Sequence, residues 1–348
     1  MRKLTEKEML ESEIPSTKEL VLERQLKQLA AENRKLKSEK YDDEAICDAL
    51  KDGIKALPKS KGKYVPKKGS GKKNTEHQAV LIVTDAHAEE YVSPEETEGT
   101  LKYDFGVFES RMAATVQKTI EITEMMRKCA PVTDLNVFYL GDWFQGEIHP
   151  DENGFGSTMA FPMAIPAVSK VIGEQITDLS AHFRNVNVYG VCGNHSRTSK
   201  KPVTKMRADR NWDTACYKIA EQFTSKQTNV KWNIPKSMMT IADVLGWKCL
   251  LTHGDCVKRT CAEPLFAISR MIDAQHRQRR KDGTDFDYCF VGHWHDDSTL
   301  HGECEICPPL VGGSQFSRYL CHALTPPGAL LYFFTKEFGK TSRWRLNF

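Results

Sequence analysis

What is missing from this chain narrows its class first. No apolar run approaches the roughly 18 residues needed to cross a bilayer. The opening residues, MRKLTEKEML, lack the apolar centre of a secretory signal. We therefore expect a cytoplasmic protein with no membrane association. A disulfide framework is also excluded as an expectation, because the eleven cysteines are odd in number and spread over 348 residues. Charge of one sign is lacking too: 49 basic residues face 46 acidic ones, for a net charge of +3. The total therefore says little about partners, and only the distribution of charge does.

What is present is an ordinary globular composition, 40% hydrophobic and 27% charged, with one recurrent pattern. Val137-Phe138-Tyr139-Leu140 reads as a buried strand that stops at Gly141 and delivers Asp142. Leu81-Ile82-Val83-Thr84 likewise runs into Asp85-Ala86-His87, and residues 186–191 run into Gly193-Asn194-His195. Residues 247–251 deliver Thr252-His253-Gly254, and Phe290-Val291 lead into Gly292-His293-Trp294-His295. A lone histidine is usually structural. Five apolar runs that each end in carboxylate, amide or imidazole donors are unlikely to arise by chance.

Residues 1–77 differ from the rest. Ser16-Thr17-Lys18-Glu19 matches a capping box, and Leu22, Leu26, Leu29, Asn33 and Leu36 follow heptad spacing. Two heptads fit a homodimer through residues 22–36 or a helix packed on its own domain equally well. Residues 45–57 suggest a second short helix, so 1–54 reads as a helical appendage. Between Lys55 and Lys73 stand eight lysines and no acidic residue, among prolines and glycines, so 55–77 reads as a flexible basic linker. Such a linker can meet a nucleic-acid backbone by counterion release or simply remain solvated.

The folded domain is expected over 78–348. Helices are expected over 108–128, with Val116, Ile120 and Met125 or Met126 inward, and over 159–183, 211–222 and 271–281. Strands are expected near 81–84, 137–140, 186–191, 238–241, 247–251, 290–291, 328–335 and 344–348. Alternating strands and helices indicate an α/β core whose site lies at the carboxyl ends of the strands. Aspartate, asparagine and neutral histidine suit divalent ions of hard to borderline character. Two such ions about 4 Å apart can clamp a phosphoryl group, with one carboxylate bridging them.

The set Asp85-x-His87, Gly141-Asp142-x-x-x-Gly146, Gly193-Asn194-His195, His253 and Gly292-His293-x-His295 resembles the calcineurin-like metallophosphoesterase superfamily over about residues 80–334. That resemblance implies an α/β, four-layer fold: a two-sheet β-sandwich flanked by helices. It implies that Asp85, His87 and His295 bind one metal, that Asn194, His253 and His293 bind the other, and that Asp142 bridges both. It makes His195 the catalytic acid or the group that steadies phosphoryl charge, and a metal-activated water the nucleophile. Manganese is the first expectation for the two divalent ions, with zinc, iron, nickel or magnesium as alternatives. Where that pattern continues with an acidic residue, this chain has Ser196 followed by Arg197. GNHSRTSKKP and the acidic loop after Asp-x-His are most similar to bacteriophage metallophosphoesterases labelled as DNA repair exonucleases.

Arg197, Lys200 and Lys201 are the expected substrate contacts, since guanidinium and ammonium groups suit phosphate. With the linker and the arginines near 277–280, they favour nucleic acid as partner and a nuclease as function. Protein or small-molecule phosphatase, or cyclic-nucleotide phosphodiesterase, is the alternative. A non-catalytic scaffold ranks last, because every expected ligand is present. Trp143, Phe144 and Trp294 could stack a base or form an apolar shell around the metals. Cys304-Glu305-Ile306-Cys307 is a lone CxxC without a second pair to complete a zinc set.

Overall fold

The computed structural model describes residues 76–348 apart from 96, 149–156, 203–204, 258–263 and 314–324. The chain divides into two units, Met1–Lys51 and Asp52–Phe348. The capping box, the heptads, the expected second helix and the lysine-rich stretch 55–73 lie outside the described residues.

Two mixed sheets make up the core. The first has the order β11-β10-β1-β2-β3-β4. It consists of β1 (His77–Val83), β2 (Val132–Tyr139), β3 (Asn185–Gly190), β4 (Val230–Asn233), β10 (Gly328–Thr335) and β11 (Gly339–Asn347). Strands β1 to β4 run parallel, whereas β10 is antiparallel to both β1 and β11. The second sheet has the order β5-β6-β7-β9-β8. Its strands are β5 (Met239–Val244), β6 (Trp247–Thr252), β7 (Tyr288–Val291), β8 (Ser298–Leu300) and β9 (Cys304–Ile306), with β6, β7 and β9 parallel.

Alternation along the strands explains the layering. Val80 and Ile82 of β1, Phe138 of β2, and Leu330, Tyr332 and Phe334 of β10 meet Cys249 and Leu251 of β6 and Phe290 of β7 in one buried cluster. The two sheets therefore face each other. On its outer side the second sheet presents Leu250, Cys289, Val291, Cys304 and Ile306 to Ile268 and Ile272 of helix α4 (Pro264–Lys281). The first sheet is covered by α1 (Phe105–Arg127), α2 (Phe161–Ser180) and α3 (Trp212–Phe223). The two-sheet, helix-flanked architecture is the one expected.

Local differences from the expected elements have physical causes. Helix α1 starts at Phe105 because Asp104 caps it, its carboxylate accepting from Val107 N at 2.8 Å. Its buried stripe is Phe108, Met112, Thr115, Thr119 and Thr123, not the expected Val116, Ile120 and Met125 or Met126. Met125 is 43% exposed, since β-branched threonines occupy the inward positions. Helix α4 extends upstream of 271 because Leu265 and Ile268 continue its apolar face. Strands β4, β8 and β9 were not expected, being short and without clear alternation. Among the described residues, no helix is long and apolar enough to cross a membrane.

Candidate metal centre

Every expected ligand follows the carboxyl end of a strand. Asp85 and His87 follow β1, Asp142 follows β2, and Asn194 and His195 follow β3; His253 follows β6, and His293 and His295 follow β7. The first three strands belong to one sheet and the last two to the other, so the ligands collect where the sheets meet. Hydrogen bonds fasten the turns within the first sheet and across that seam. Asp85 N donates to Gly141 O at 3.0 Å, and His293 N donates to both carboxylate oxygens of Asp85 at 3.1 and 3.0 Å.

The backbone itself is strained at these turns. Asp85, His87, Asp142, His293 and His295 all have φ between 41° and 66°. Such conformations cost about 1–3 kcal/mol each and persist where the surroundings impose them, as at functional sites. Only a glycine fits between some of the turns. A Cβ on Gly193 would lie 2.1 Å from Oδ1 of Asp142, and one on Gly292 would lie 2.6 Å from Oδ2 of Asp85.

Two ligand clusters result. In one, donor atoms of Asp85, His87 and His295 lie within 4.8 Å of one another; in the other, those of Asp142, His253 and His293 do. Asn194 joins the second cluster, with its Oδ1 3.1 Å from His253 Nε2. The clusters adjoin, since the His87 ring lies 4.8 Å from that of His195, whose N–H donates to Asp142 Oδ1 at 2.8 Å.

The donors suit cations. His253 Nδ1 faces Leu140 O at 2.7 Å, which makes Nδ1 the donor and leaves Nε2 facing Asp142 Oδ2 and the Asn194 amide oxygen. Three acceptor atoms then converge, an arrangement that needs a proton or a metal among them. Without metal it takes the proton: burial opposes the charge on His253, but Asp142, and then Asp85, lift it to about 10. His87 is the contrary case. Burial, then the neighbouring His195, lowers it to about 3, and both ring nitrogens are buried without a hydrogen-bond partner. A neutral imidazole with nothing to bond is what a bound divalent ion would satisfy. His293 is lowered to about 4, by burial first and His253 second. The residues thus fit two divalent ions.

His195 lies between the clusters and the loop after β2. Its Nδ1 is 3.2 Å from Gln145 O, so a backbone carbonyl holds the ring and Nε2 is the nitrogen that would exchange a proton. A buried carboxylate from α3 reaches this turn. Asp213, fully buried at the start of α3, accepts from Asp142 N at 2.9 Å, Trp143 N at 3.0 Å, Gly193 N at 2.8 Å and the Ser196 hydroxyl at 2.5 Å. Burial, then Asp142, raises it to about 6. Asn211 caps α3 through Asp213 N and donates to Gly193 O at 2.8 Å. The sequence offered only an Asn-x-Asp start to a helix, a signal that reads as capping. Glu89 was likewise missed: it is 2% exposed, holds Gly146 N at 2.9 Å, and burial raises it to about 7.

The remaining expected residues differ in position. The Arg197 guanidinium donates to the carbonyls of Ser199, Asn194 and Lys200, so three of its five donors brace its own loop. Lys200 and Lys201 are exposed on that loop, close in sequence to His195. Arg207, on the same loop, is ion-paired with Asp255. The arginines near 277–280 sit in the last turns of α4, just before β7, so they lie at the end of the sheet away from the ligands. Trp143 and Phe144 are 1% and 0% exposed and pack against Tyr217, Phe108 and Phe161, so they form the apolar shell and cannot stack a base. Cys304 faces the α4 side of its sheet and Cys307 the inter-sheet side, so the two cannot hold one ion together.

No protein-family model matches the chain, and no curated protein matches it. Solved structures with a similar course include a predicted phosphoesterase from Streptococcus pneumoniae, at TM-score 0.28 and 10% identity over 77% of this chain and 98% of that one. A protein of unknown function from Aquifex aeolicus scores 0.29 at 11% identity, over 66% of this chain and 89% of that one. A sulfate thiohydrolase from Thermus thermophilus, in complex with glycerol, scores 0.29 at 10% identity, over 81% and 57%. At such scores these likenesses decide nothing about function.

Proposed function

We propose that this chain is a dinuclear metal-dependent phosphoesterase that hydrolyses phosphodiester bonds in nucleic acid. One observation carries the reading: seven side chains drawn from five turns and two sheets form two adjoining clusters of divalent-metal donors. When bound, two such ions polarise a phosphate ester and lower the pKa of water towards neutrality. Asp85, His87 and His295 would hold one ion, and Asn194, His253 and His293 the other, with Asp142 shared. Manganese, which suits the oxygen donors Asp85, Asp142 and Asn194, is the first ion to try, and zinc, iron or nickel, which suit the four imidazoles, or magnesium are the alternatives to compare.

His195 does the protein's own chemistry. Held by Gln145 O and by its backbone bond to Asp142, its ring stands beside the first cluster. From there Nε2 would donate a proton to the departing ester oxygen, a role that requires the group to be within hydrogen-bond reach of that oxygen. Asp142 has a second task besides ligation, since it fixes the backbone of His195 and hence the distance between proton donor and ions.

The polynucleotide reading rests on Lys200 and Lys201, exposed on the loop that leaves His195. Their ammonium groups would follow a phosphate backbone past the ions. The arginines of α4 do not support it, given their place at the opposite end of the sheet. A manganese-supplemented panel of single-stranded DNA, duplex DNA, RNA and small phosphodiesters tests the whole proposal. Polynucleotide cleavage that disappears in Asp142→Ala while binding persists is the expected result. Turnover of small esters with polynucleotides ignored would replace nuclease by small-molecule phosphodiesterase, and no turnover of any ester would overturn the enzyme.

A further inference from the structure

Four donors from two separate turns converge on the carboxylate of Asp213: the backbone N–H groups of Asp142, Trp143 and Gly193, and the hydroxyl of Ser196. The residues lie 71, 70, 20 and 17 positions away in the chain. A carboxylate has about four acceptor sites, so this one is saturated, and with two acceptor oxygens in fixed relation it cannot serve one turn without serving the other. From the β2 turn it holds the backbone of the shared ligand Asp142. From the β3 turn it holds Gly193 and Ser196, which flank Asn194 and His195. Helix α3 adds two more ties to the β3 turn, Asn211 Nδ2 to Gly193 O at 2.8 Å and Trp212 N to Ser196 O at 2.7 Å.

We infer that Asp213 is the positioning residue of the metal centre, fixing the shared ligand Asp142 relative to Asn194 and His195 without touching ion or substrate itself. The inference rests on the proposed dinuclear reading. Ser196 carries the hydroxyl that completes the set, so a residue without charge stands directly after Gly-Asn-His, and the anion that governs this turn is supplied from the first turn of α3. A neutral group at 213 would place an N–H against backbone N–H donors, or leave them unsatisfied in a buried site, and the two turns would then move independently. The consequence is specific. Both turns would keep their own ligands, but the ion shared between Asp142 and Asn194 would lose its geometry.

Isothermal titration of manganese into metal-free wild type, Asp213→Asn and Ser196→Ala tests this, with thermal unfolding of the same metal-free samples alongside. For Asp213→Asn we expect one of the two binding events to weaken by about 10–100-fold, the range found for partners behind metal ligands. Excess manganese should restore kcat with KM unchanged, whereas a purely structural role would lower the unfolding midpoint and leave the affinity of the folded protein unaltered. Ser196→Ala removes one donor of four and should weaken the same event to a smaller extent, which keeps the test valid if Asp213→Asn does not fold. Wild-type affinity for both ions in a folded Asp213→Asn, or, where only Ser196→Ala folds, in that variant, would overturn the inference. Failure of wild type itself to bind two ions would overturn instead the dinuclear reading beneath it.

Discussion

His253 Nε2 stands 2.9 Å from Asp142 Oδ2, and each side chain is 1% exposed. In the metal-free chain this is an imidazolium paired with a carboxylate, because the pair lifts His253 to about 10 despite its burial. A cation that takes both atoms as ligands must first expel that proton. Metal binding near pH 7 should therefore release about one proton from His253, and affinity should rise roughly tenfold per pH unit between pH 7 and 9. Calorimetric titrations in two buffers of different ionisation enthalpy measure this directly. Heats independent of buffer would refute it. The sign for the metal-free fold is the reverse: a raised histidine contributes stability present below its ordinary 6.5 and lost as pH rises through about 10.

Metal should stabilise the fold as a whole, since the unfolded chain has no preformed site. Manganese at about 100 times its dissociation constant should add roughly 2.7 kcal/mol per occupied site to the stability of the wild type. Asp142→Asn should lose most of that increment, and its metal-free midpoint should fall as well, since the carboxylate that keeps buried His253 charged is gone. Denaturant unfolding with and without chelator gives both numbers.

Gly193→Ala places a methyl group 2.1 Å from Asp142 Oδ1, where no side chain can stand. The two turns must separate, so this smallest of substitutions should cost more activity than the roughly 100-fold upper end seen for residues behind metal ligands. Metal content measured after gel filtration should fall below two ions per chain. Full occupancy with normal turnover would show that the turns tolerate separation.

Lysines and arginines make opposite predictions about nucleic acid. Lys200→Ala and Lys201→Ala should each make the dependence of log affinity on log salt shallower by about 0.7–0.9, as expected for one lost phosphate contact. Paired replacement of Arg279 and Arg280, at the far end of the sheet, should leave that slope unchanged. Fluorescence anisotropy with a labelled oligonucleotide at several salt concentrations separates the two.

His276 offers a pH test away from the metal. Its two ring nitrogens face Asp285 and Glu303, and although burial opposes it, these carboxylates raise it. Its contribution to stability should be complete below pH 6.5 and decline as pH rises through its raised value. The stability difference between metal-loaded wild type and His276→Gln should accordingly be larger at pH 6 than at pH 9; equal differences would exclude the linkage.

The ligand turns were legible because each follows an apolar strand: the runs before Asp85, Asp142, His253 and His293 are nearly continuous, as in strands buried on both faces, β3 alternates, and glycine stands in the turns after β2, β3, β6 and β7. Asp85, Asp142 and His253 could be read this way, and their convergence followed from the strand ends. Asp213 could not. Its bonds to Asp142 and Trp143 span about 70 residues, and locally Asn-x-Asp signals no more than a helix start. Trp143 and Phe144 next to a ligand read as equally suited to substrate or core, and only their burial against Tyr217 and Phe161 decides the matter. The inward stripe of α1 was misread because threonine methyls fill it, and composition counts threonine as polar.

Because the donors are divided between two sheets packed through the apolar layer between them, the centre can report on that layer. A state that kept its strands and helices but let the sheets slide would retain every ligand and bind no pair of ions. Metal affinity is thus a gauge of inter-sheet packing, and it should fail ahead of secondary structure when the protein is warmed or treated with mild denaturant.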